Sequence, residues 1–553
     1  MPMYTPSSPS HNLLERLRLW IDRNFIELGR EMRLSYLPPL MVYLAAGISG
    51  LTAIVGTFFV KDYLGLSAEF LAGLAFWAML PWTLKLPVGH LVDLIWRYKG
   101  GLVFLGAGLI AASLLIMLGL LNDRVAMEAV LPAATWYVLS VLLAPVGYVI
   151  QDVVADAMTV EAVPTTDEMG LTIPENQQRL MHATMQTLGR VAIIAGTLIV
   201  ALVNVYMFDG VESLAEGEKV AIYQRLYQMA LIIPATSCFG VIFAWALKRK
   251  QKKSLHALGY TLAEIDKLTE VHTTSTVPNW WILGGGLAFA LGTITVGLAD
   301  LAFGQEIIFV LSMGIILALM YRLMDEMESD ARNMLLGTAV LIFFFRAIPT
   351  PGPGSSWWMI DVLDFDQSFM ARLSLIGSVL SLAGLFLFRR FMAERPIASV
   401  VILLTLIGTV LSLPTIGMYY GLHEWTARLT GGVVDARFIA LIDTALESPL
   451  GHIAMVPMLA WIAHSAPSHL KATFFAVMAS FTNLSLALSQ LGTKYLNQIY
   501  TVTREVKDPV SGMMTTPANY SELGQLLIVV TLMGLMIPLG AVAVVRWLRL
   551  RSA

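Results

Sequence analysis

Fourteen apolar runs recur along the 553-residue chain, near residues 38–60, 68–92, 101–121, 132–158, 180–206, 226–247, 280–301, 307–324, 334–349, 368–391, 397–420, 437–464, 470–495 and 522–547. A helix rises about 1.5 Å per residue, so about 20 apolar residues cross a bilayer core, and most of these runs meet that length. Hydrophobic residues make up 57% of the chain and charged ones 14%, against about 45–50% and about 25% in soluble domains. The chain is an all-α polytopic membrane protein. Its net charge of −3 is too small to argue for nucleic acid or another strongly charged partner, and its basic residues form no binding stripe. The single Cys238 excludes an internal disulfide and, lying in an apolar run, reads as core packing. Residues 1–36 are too polar for a secretory signal, and the first run lacks a small-residue cleavage site, so it stays as a membrane helix.

Within residues 1–36, Leu13, Leu14, Leu17, Trp20, Ile21, Phe25 and Leu28 recur at helical spacing among arginines, the pattern of an amphipathic helix on the inner membrane surface. Six runs fill residues 37–247. The basic cluster Lys248-Arg249-Lys250-Gln251-Lys252-Lys253 then opens a polar connector, 248–279, in which Thr261-Leu262-Ala263-Glu264 reads as a capping box. The next two runs, joined by residues 302–306, make a hairpin over 280–324, and six more runs fill 325–553. Without the hairpin the chain is six helices, a connector and six helices, the duplicated plan of many secondary transporters. With a cytoplasmic N-terminus, 23 Lys and Arg fall inside and nine outside, which obeys the positive-inside rule and places both termini in the cytoplasm.

The stretch Gly147–Glu161 breaks the apolar pattern. It continues the run from Ala133, so Asp152 and Asp156 share one face of an entering helix, with Glu161 five residues on. A carboxylate at the centre of a span costs about 2.5–3.5 kcal/mol, so such acids face water, a basic partner or an exchangeable proton, unless they hydrate freely at the cytoplasmic edge. Four basic residues, Lys85, Arg190, Arg346 and Arg372, lie within spans. Arg190, one turn after Gln186, cannot shed its proton and must face acids, water or an anion. Arg346 precedes a run broken by Pro349, Pro351 and Pro353, either a broken-helix ligand site or an early outer loop. Asp443 and Glu447 repeat the four-residue acid spacing in the corresponding span of the second half, as a site or an interfacial face. Trp280-Trp281 and Trp357-Trp358 read as interfacial anchors, and Asp300 reaches the outer interface. His182 and His452 read as satisfied polar residues; no metal-ligand spacing, nucleophile–base set or phosphate loop appears, so neither an enzyme nor a cofactor is expected.

Gly89, Asp93 and the following Arg97, between the second and third runs, resemble the gating signature of the major facilitator superfamily. Lys85, Gly89 and Asp93 after Pro81-Trp82, the acidic motif Asp152, Asp156, Ala157 and Glu161, Ala347-Ile348-Pro349-Thr350-Pro351-Gly352, and Phe369-Met370-Ala371-Arg372 are together similar to the folate-biopterin transporter family within that superfamily. Pro467, Ala472-Thr473, Phe475-Ala476, Ser480, Asn483, Ser489 and Gly492 continue the pattern. The chain departs from it at Pro87, at Lys471 where an acid is common, at Arg346, and in the added hairpin.

The resemblance implies two six-helix bundles plus an inserted hairpin, alternating access around a midplane site, and a monomer in the cytoplasmic membrane moving a folate- or pteridine-like organic anion with protons. Lys85, Gln186, Arg190, Arg346, Arg372 and Asn483 are then the expected substrate contacts. Asp152, Asp156, Glu161, Asp443 and Glu447 are the expected proton-coupling acids, and Gly89, Asp93 and Arg97 the gate. Two other readings stay open: a different organic anion or drug-like solute on the same fold, favoured by Lys471 and Arg346, and a non-transporting scaffold with the hairpin as its contact surface.

Overall fold

The computed structural model describes residues 32–64, 66–164, 173–269, 278, 280–299, 301, 303–325, 329–387, 395–450, 471–507 and 514–551. A helix lies in each of the fourteen apolar runs. The first half holds α1 (Leu37–Ile48, continued by Ala53–Phe59), α2 (Ala68–Met79), α3 (Lys85–Leu94), α4 (Lys99–Asn122), α5 (Ala133–Ala162), α6 (Glu175–Met207) and α7 (Ile232–Ala257). The connector carries α8 (Leu262–Thr269), and the hairpin is α9 (Trp280–Leu298) and α10 (Gly304–Asp325). The second half holds α11 (Ser329–Arg346), the short α12 (Pro353–Asp361), α13 (Gln367–Leu387), α14 (Ile397–Leu411), α15 (Ala436–Glu447), α16 (Lys471–Ile499) and α17 (Leu523–Trp547). Among the described residues eight helices are long and apolar enough to cross a membrane, or nine if the pair α2 and α3 is one bent span. That pair bends by about 40° between Leu84 and Pro87, just after the 3-10 turn Leu80–Leu84 that contains Pro81. Proline removes a ladder donor and clashes with the preceding turn, so a break there is expected.

Small residues set the helix spacing. A Cβ on Gly106 of α4 would lie 2.6 Å from the Gly147 carbonyl oxygen of α5, so only two glycines allow these backbones to meet. Gly196 of α6 sits against Gly47 of α1, where an added Cβ would be 2.7 Å from the Gly47 Cα, and Gly240 of α7 would meet the Pro38 carbonyl oxygen at 2.8 Å. Helix α1 is thus gripped from two sides. The halves meet through α2 and α3 against α16, and through α6 against α13. The second helix of each half packs on the fifth of the other, the pairing that two copies of one bundle related by a pseudo-two-fold axis produce.

The hairpin straddles one of these seams. Helix α9 packs on α3, and α10 on α16. Gly286 lets Pro87 approach the α9 backbone, Gln305 Nε2 donates to the Gly73 carbonyl at 3.1 Å, and Glu306 accepts from the Tyr495 hydroxyl with Lys494 Nζ 3.6 Å away. Its outer helix faces away from the bundle, with Trp280 and Trp281 76% and 73% exposed. The connector helix α8 starts at the expected capping box: the Thr261 backbone N–H donates to Glu264 at 2.8 Å, and this bond together with the Thr261 hydroxyl holds the Glu264 carboxyl below its ordinary range. Lys252 of α7 binds Asp266 and holds that carboxyl low too. Residues 34–36, 94–99, 161–163, 248–258, 329–332 and 549–551 belong to one end of the bundle, called the terminal face below. Gly337 there abuts the Arg551 backbone, and Arg551 lies 3.6 Å from Asp330.

Candidate functional site

The acid pair on α5 meets Lys85, the first residue of α3. Lys85 Nζ pairs with Asp152 Oδ2 and lies 3.4 Å from Asp156 Oδ2, while the Tyr43 hydroxyl of α1 donates to Asp156 Oδ1 at 2.6 Å. Lys85 and Asp152 side chains are 18% and 17% exposed, Asp156 50%. Gly189 of α6 makes the space for the Tyr43 ring, since a Cβ there would stand 2.9 Å from it. Arg190, the next residue, is exposed, acts on Tyr43 and Asp152 through its field, and makes no ion pair among the described residues. With all four groups ionised the cluster sums to zero, which is what a low-dielectric site demands. Sequence alone offered Arg190 as partner of the acids; Lys85 fills that place. The Gln186 side chain lies outside the described residues.

The rest of the Gly147–Glu161 stretch fixes α5. Buried Gln151 donates to the Val103 carbonyl at 3.1 Å and accepts from the Ser237 hydroxyl at 3.0 Å, tying α5 to α4 and α7. Glu161 stands apart from the other acids, 2.7 Å from Lys99 Nζ and 4.0 Å from Lys248 Nζ at the terminal face. Lys99 in turn lies 4.0 Å over the Trp96 ring. This arrangement fastens helix ends, and Gly89, half-buried Asp93 and exposed Arg97 lie close by on α3 and its loop.

Two helix breaks are held by one face of α16. Asn483 Nδ2 donates to the Trp82 carbonyl at 3.2 Å, within the Leu80–Leu84 turn of the other half. Ser489 donates to the Ile348 carbonyl at 2.6 Å, the Thr350 N–H donates to Thr493 Oγ1 at 2.9 Å, and Asn497 Nδ2 donates to the Pro351 carbonyl at 3.2 Å. Residues four apart on α16 thus satisfy the backbone freed by Pro349 and Pro351, which lipid could not satisfy. Gly352 then turns the chain at φ +78° to start α12. Trp357 and Trp358 of α12 are 2% and 3% exposed, which corrects their reading as interfacial anchors: the turn folds them inward.

Under α12 lies a cavity of about 500 Å³ between the halves, toward the face opposite the termini. Ser49, Thr52, Thr57, Tyr137, Tyr148, Tyr227, Ser356, Trp357 and Gln490 give it polar and aromatic character, with no charged side chain and no hairpin residue among the described residues of its wall. Tyr148 is one helical turn from Asp152, so the charged cluster lies just beyond the cavity on the same helix. Next to Val60 of the cavity wall, Lys61 pairs with Asp361 of α12 at 2.5 Å, and Asp361 also accepts from the Tyr520 hydroxyl at 2.5 Å. Burial and that carboxylate push the Tyr520 phenol well above its ordinary range.

The remaining expected residues are dispersed. Arg346 is half-buried in the last turn of α11 and makes no ion pair among the described residues. Arg372 is exposed, 3.8 Å from Asp209 of the other half. Asp443 is half-buried on α15, and Glu447 is exposed. Asp300, His452 and Pro467, with the side chains of His182 and of Lys471 to Ala476, lie outside the described residues. Sequence reasoning did not find Tyr43, Lys61, Asp361 or Tyr148; each is a single polar residue in or beside an apolar run, and only the weak cue of alternating hydroxyls in α1 and α5 points to them.

The fold is that of major-facilitator-type transporters. A POT family transporter solved with 5-aminolevulinic acid superposes with a TM-score of 0.58 at 14% identity, over 93% of this chain and 96% of that one. A peptide transporter POT solved with sulfate gives 0.56 at 16% identity, over 94% and 96%. In sequence, the "Folate-biopterin transporter" of Synechocystis sp. (strain ATCC 27184 / PCC 6803 / Kazusa) is 30% identical over 158 residues, 29% of this chain, and the chain spans only 31% of that relative's length in the match. The model of the BT1 family matches residues 46–550, and the chain belongs to that family.

Proposed function

We propose that the protein is a secondary active transporter that carries a folate- or pteridine-like solute across the cytoplasmic membrane by alternating access, with proton coupling and with the terminal face in the cytoplasm. The observation that carries the reading is the cavity between two pseudo-symmetric halves with a charge-balanced cluster one helical turn beyond it. Membership of the BT1 family and the name of the Synechocystis relative support the substrate class. The excess of basic residues on the terminal face supports the orientation.

In this reading Asp156 carries the proton, because Asp152 has Lys85 close against it whereas Asp156 is half exposed and held by a phenol and a longer lysine contact. Protonating Asp156 leaves Lys85 to Asp152 alone. Lys85 begins α3, whose preceding turn is tied through Trp82 to Asn483 of the other half, so the change in charge reaches the seam between the halves through one contiguous chain of contacts. Arg190 supplies positive charge to the cluster or to an anionic part of the solute. The test is uptake of labelled biopterin and folate by liposomes containing the full chain, acidic outside. Gradient-driven accumulation that a protonophore abolishes is expected, and Asp156→Asn should lose accumulation yet still exchange labelled for unlabelled solute. Absence of uptake of either compound would overturn the substrate reading, and normal accumulation by Asp156→Asn would remove the acid from the coupling step.

A further inference from the structure

The cavity wall bears on what enters it. Ligand pockets of this size, about 300–1,000 Å³, bury most of a small molecule, so every charge on the ligand must be met by the wall or by trapped water. Among its described residues the wall contains no Lys, Arg or His. Of the cations near it, Lys61 is paired with Asp361, Lys85 with Asp152 and Asp156, and Arg504 stands behind the Trp357 ring, 5.2 Å from its centroid and 3% exposed, while exposed Arg190 is not among the described residues of the wall.

The hydroxyls divide into two groups. Ser113 and Ser140 hydrogen-bond each other at 3.0 Å, so these two are spent on holding α4 and α5 together. Tyr137, Ser356 and Gln490 line the same cavity with no hydrogen bond to any described residue. They come from three places, α5, α12 and α16, and so from both halves. A phenol, an alcohol and a carboxamide each donate and accept, and none carries charge. Trp357 and the tyrosines add flat apolar surface suited to a planar ring.

We infer that this cavity takes an uncharged, planar heteroaromatic solute with hydrogen-bonding groups on its rim, read by Tyr137, Ser356 and Gln490, and that it discriminates against dicarboxylates. The inference rests on the transport reading above and narrows it: within the pteridines, the neutral hydroxylated kind is preferred to the folate dianion. A folate would bring two carboxylates to a wall whose described residues offer no cation.

Calorimetric titration of the purified full chain in nanodiscs with biopterin, folate and adenosine tests it. Biopterin is expected to bind at least about tenfold tighter than folate, and Tyr137→Phe and Gln490→Leu should each weaken biopterin about fivefold, the loss of one hydrogen bond. These variants lie on different halves, so misfolding of one leaves the other to decide. Adenosine binding without either pteridine would keep the neutral heteroaromatic class and remove the pteridine reading. Folate binding as tightly as biopterin would overturn the inference while leaving folate transport intact. Unchanged biopterin binding in both variants, or no binding of either neutral probe, would also overturn it.

Discussion

At the residue scale the decisive group is Lys85. Its ammonium faces two carboxylates, and it and Asp152 are both more than four-fifths buried. Breaking such a pair from one side leaves an uncompensated charge, which costs about 3–5 kcal/mol, more than the pair itself contributes. Lys85→Ala should therefore lower the unfolding temperature of the detergent-solubilised protein by several degrees. The double change with Asp152→Asn should recover most of that loss, a coupling that a double-mutant cycle reads directly. An unchanged unfolding temperature in Lys85→Ala would show that water already screens the site. The acids were legible in the sequence because two carboxylates four residues apart in an apolar run have few uses. Their partner was not: Lys85 and Arg190 are both single cations within spans, and only the fold, which sets Lys85 in the bend between Leu84 and Pro87, decides which one reaches α5. Tyr43 was equally hidden, since a tyrosine in a membrane helix is commonplace until a carboxylate stands 2.6 Å from its hydroxyl.

At the scale of elements, close approach and helix breaks organise the bundle. Gly106 and Gly108 lie two residues apart on α4, yet a Cβ at Gly106 meets the α5 backbone while one at Gly108 meets nothing within 4 Å. Gly106→Val should thus destabilise the protein by at least about 1–3 kcal/mol, the cost of overpacking against a backbone that cannot yield. Gly108→Val should leave it within about 0.5 kcal/mol of the parent. Size-exclusion profiles and thermal melts of both compare them side by side, and equal behaviour would contradict this packing. The breaks follow the same logic of partial legibility. Pro81, Pro349 and Pro351 announce that the ladder is interrupted, but not that Asn483, Ser489, Thr493 and Asn497 of α16 supply the missing partners. In sequence Asn483 and Ser489 stand only as positions of the family pattern, and Thr493 and Asn497 are not singled out; the assignment of all four to two breaks, one in each half, needs the fold. Asn483 accordingly secures a seam between the halves where substrate contact was expected, and Glu161 secures the terminal face.

At the scale of the whole molecule the membrane helices were visible as run lengths, because bilayer thickness imposes them. The cavity was not, since its wall is assembled from single hydroxyls and aromatics on α1, α2, α4, α5, α12 and α16. Beside it the Lys61–Asp361 pair joins the two halves, whereas the terminal-face pair of Glu161 with Lys99 stays within one half. Alternating access requires that the two faces open reciprocally and that Asp361→Asn favour opening of the cavity. Pulsed electron-spin distance measurement tests this on the full chain with Cys238 replaced by serine. One sample carries spin labels at Val130 and Val433 on the face opposite the termini, the other at Leu258 and Leu548 on the terminal face; all four positions are exposed. The account predicts that Asp361→Asn lengthens the Val130–Val433 distance and shortens the Leu258–Leu548 distance, with biopterin shifting both populations in opposite senses. Distances that stay fixed under both changes, or that lengthen together, would contradict it.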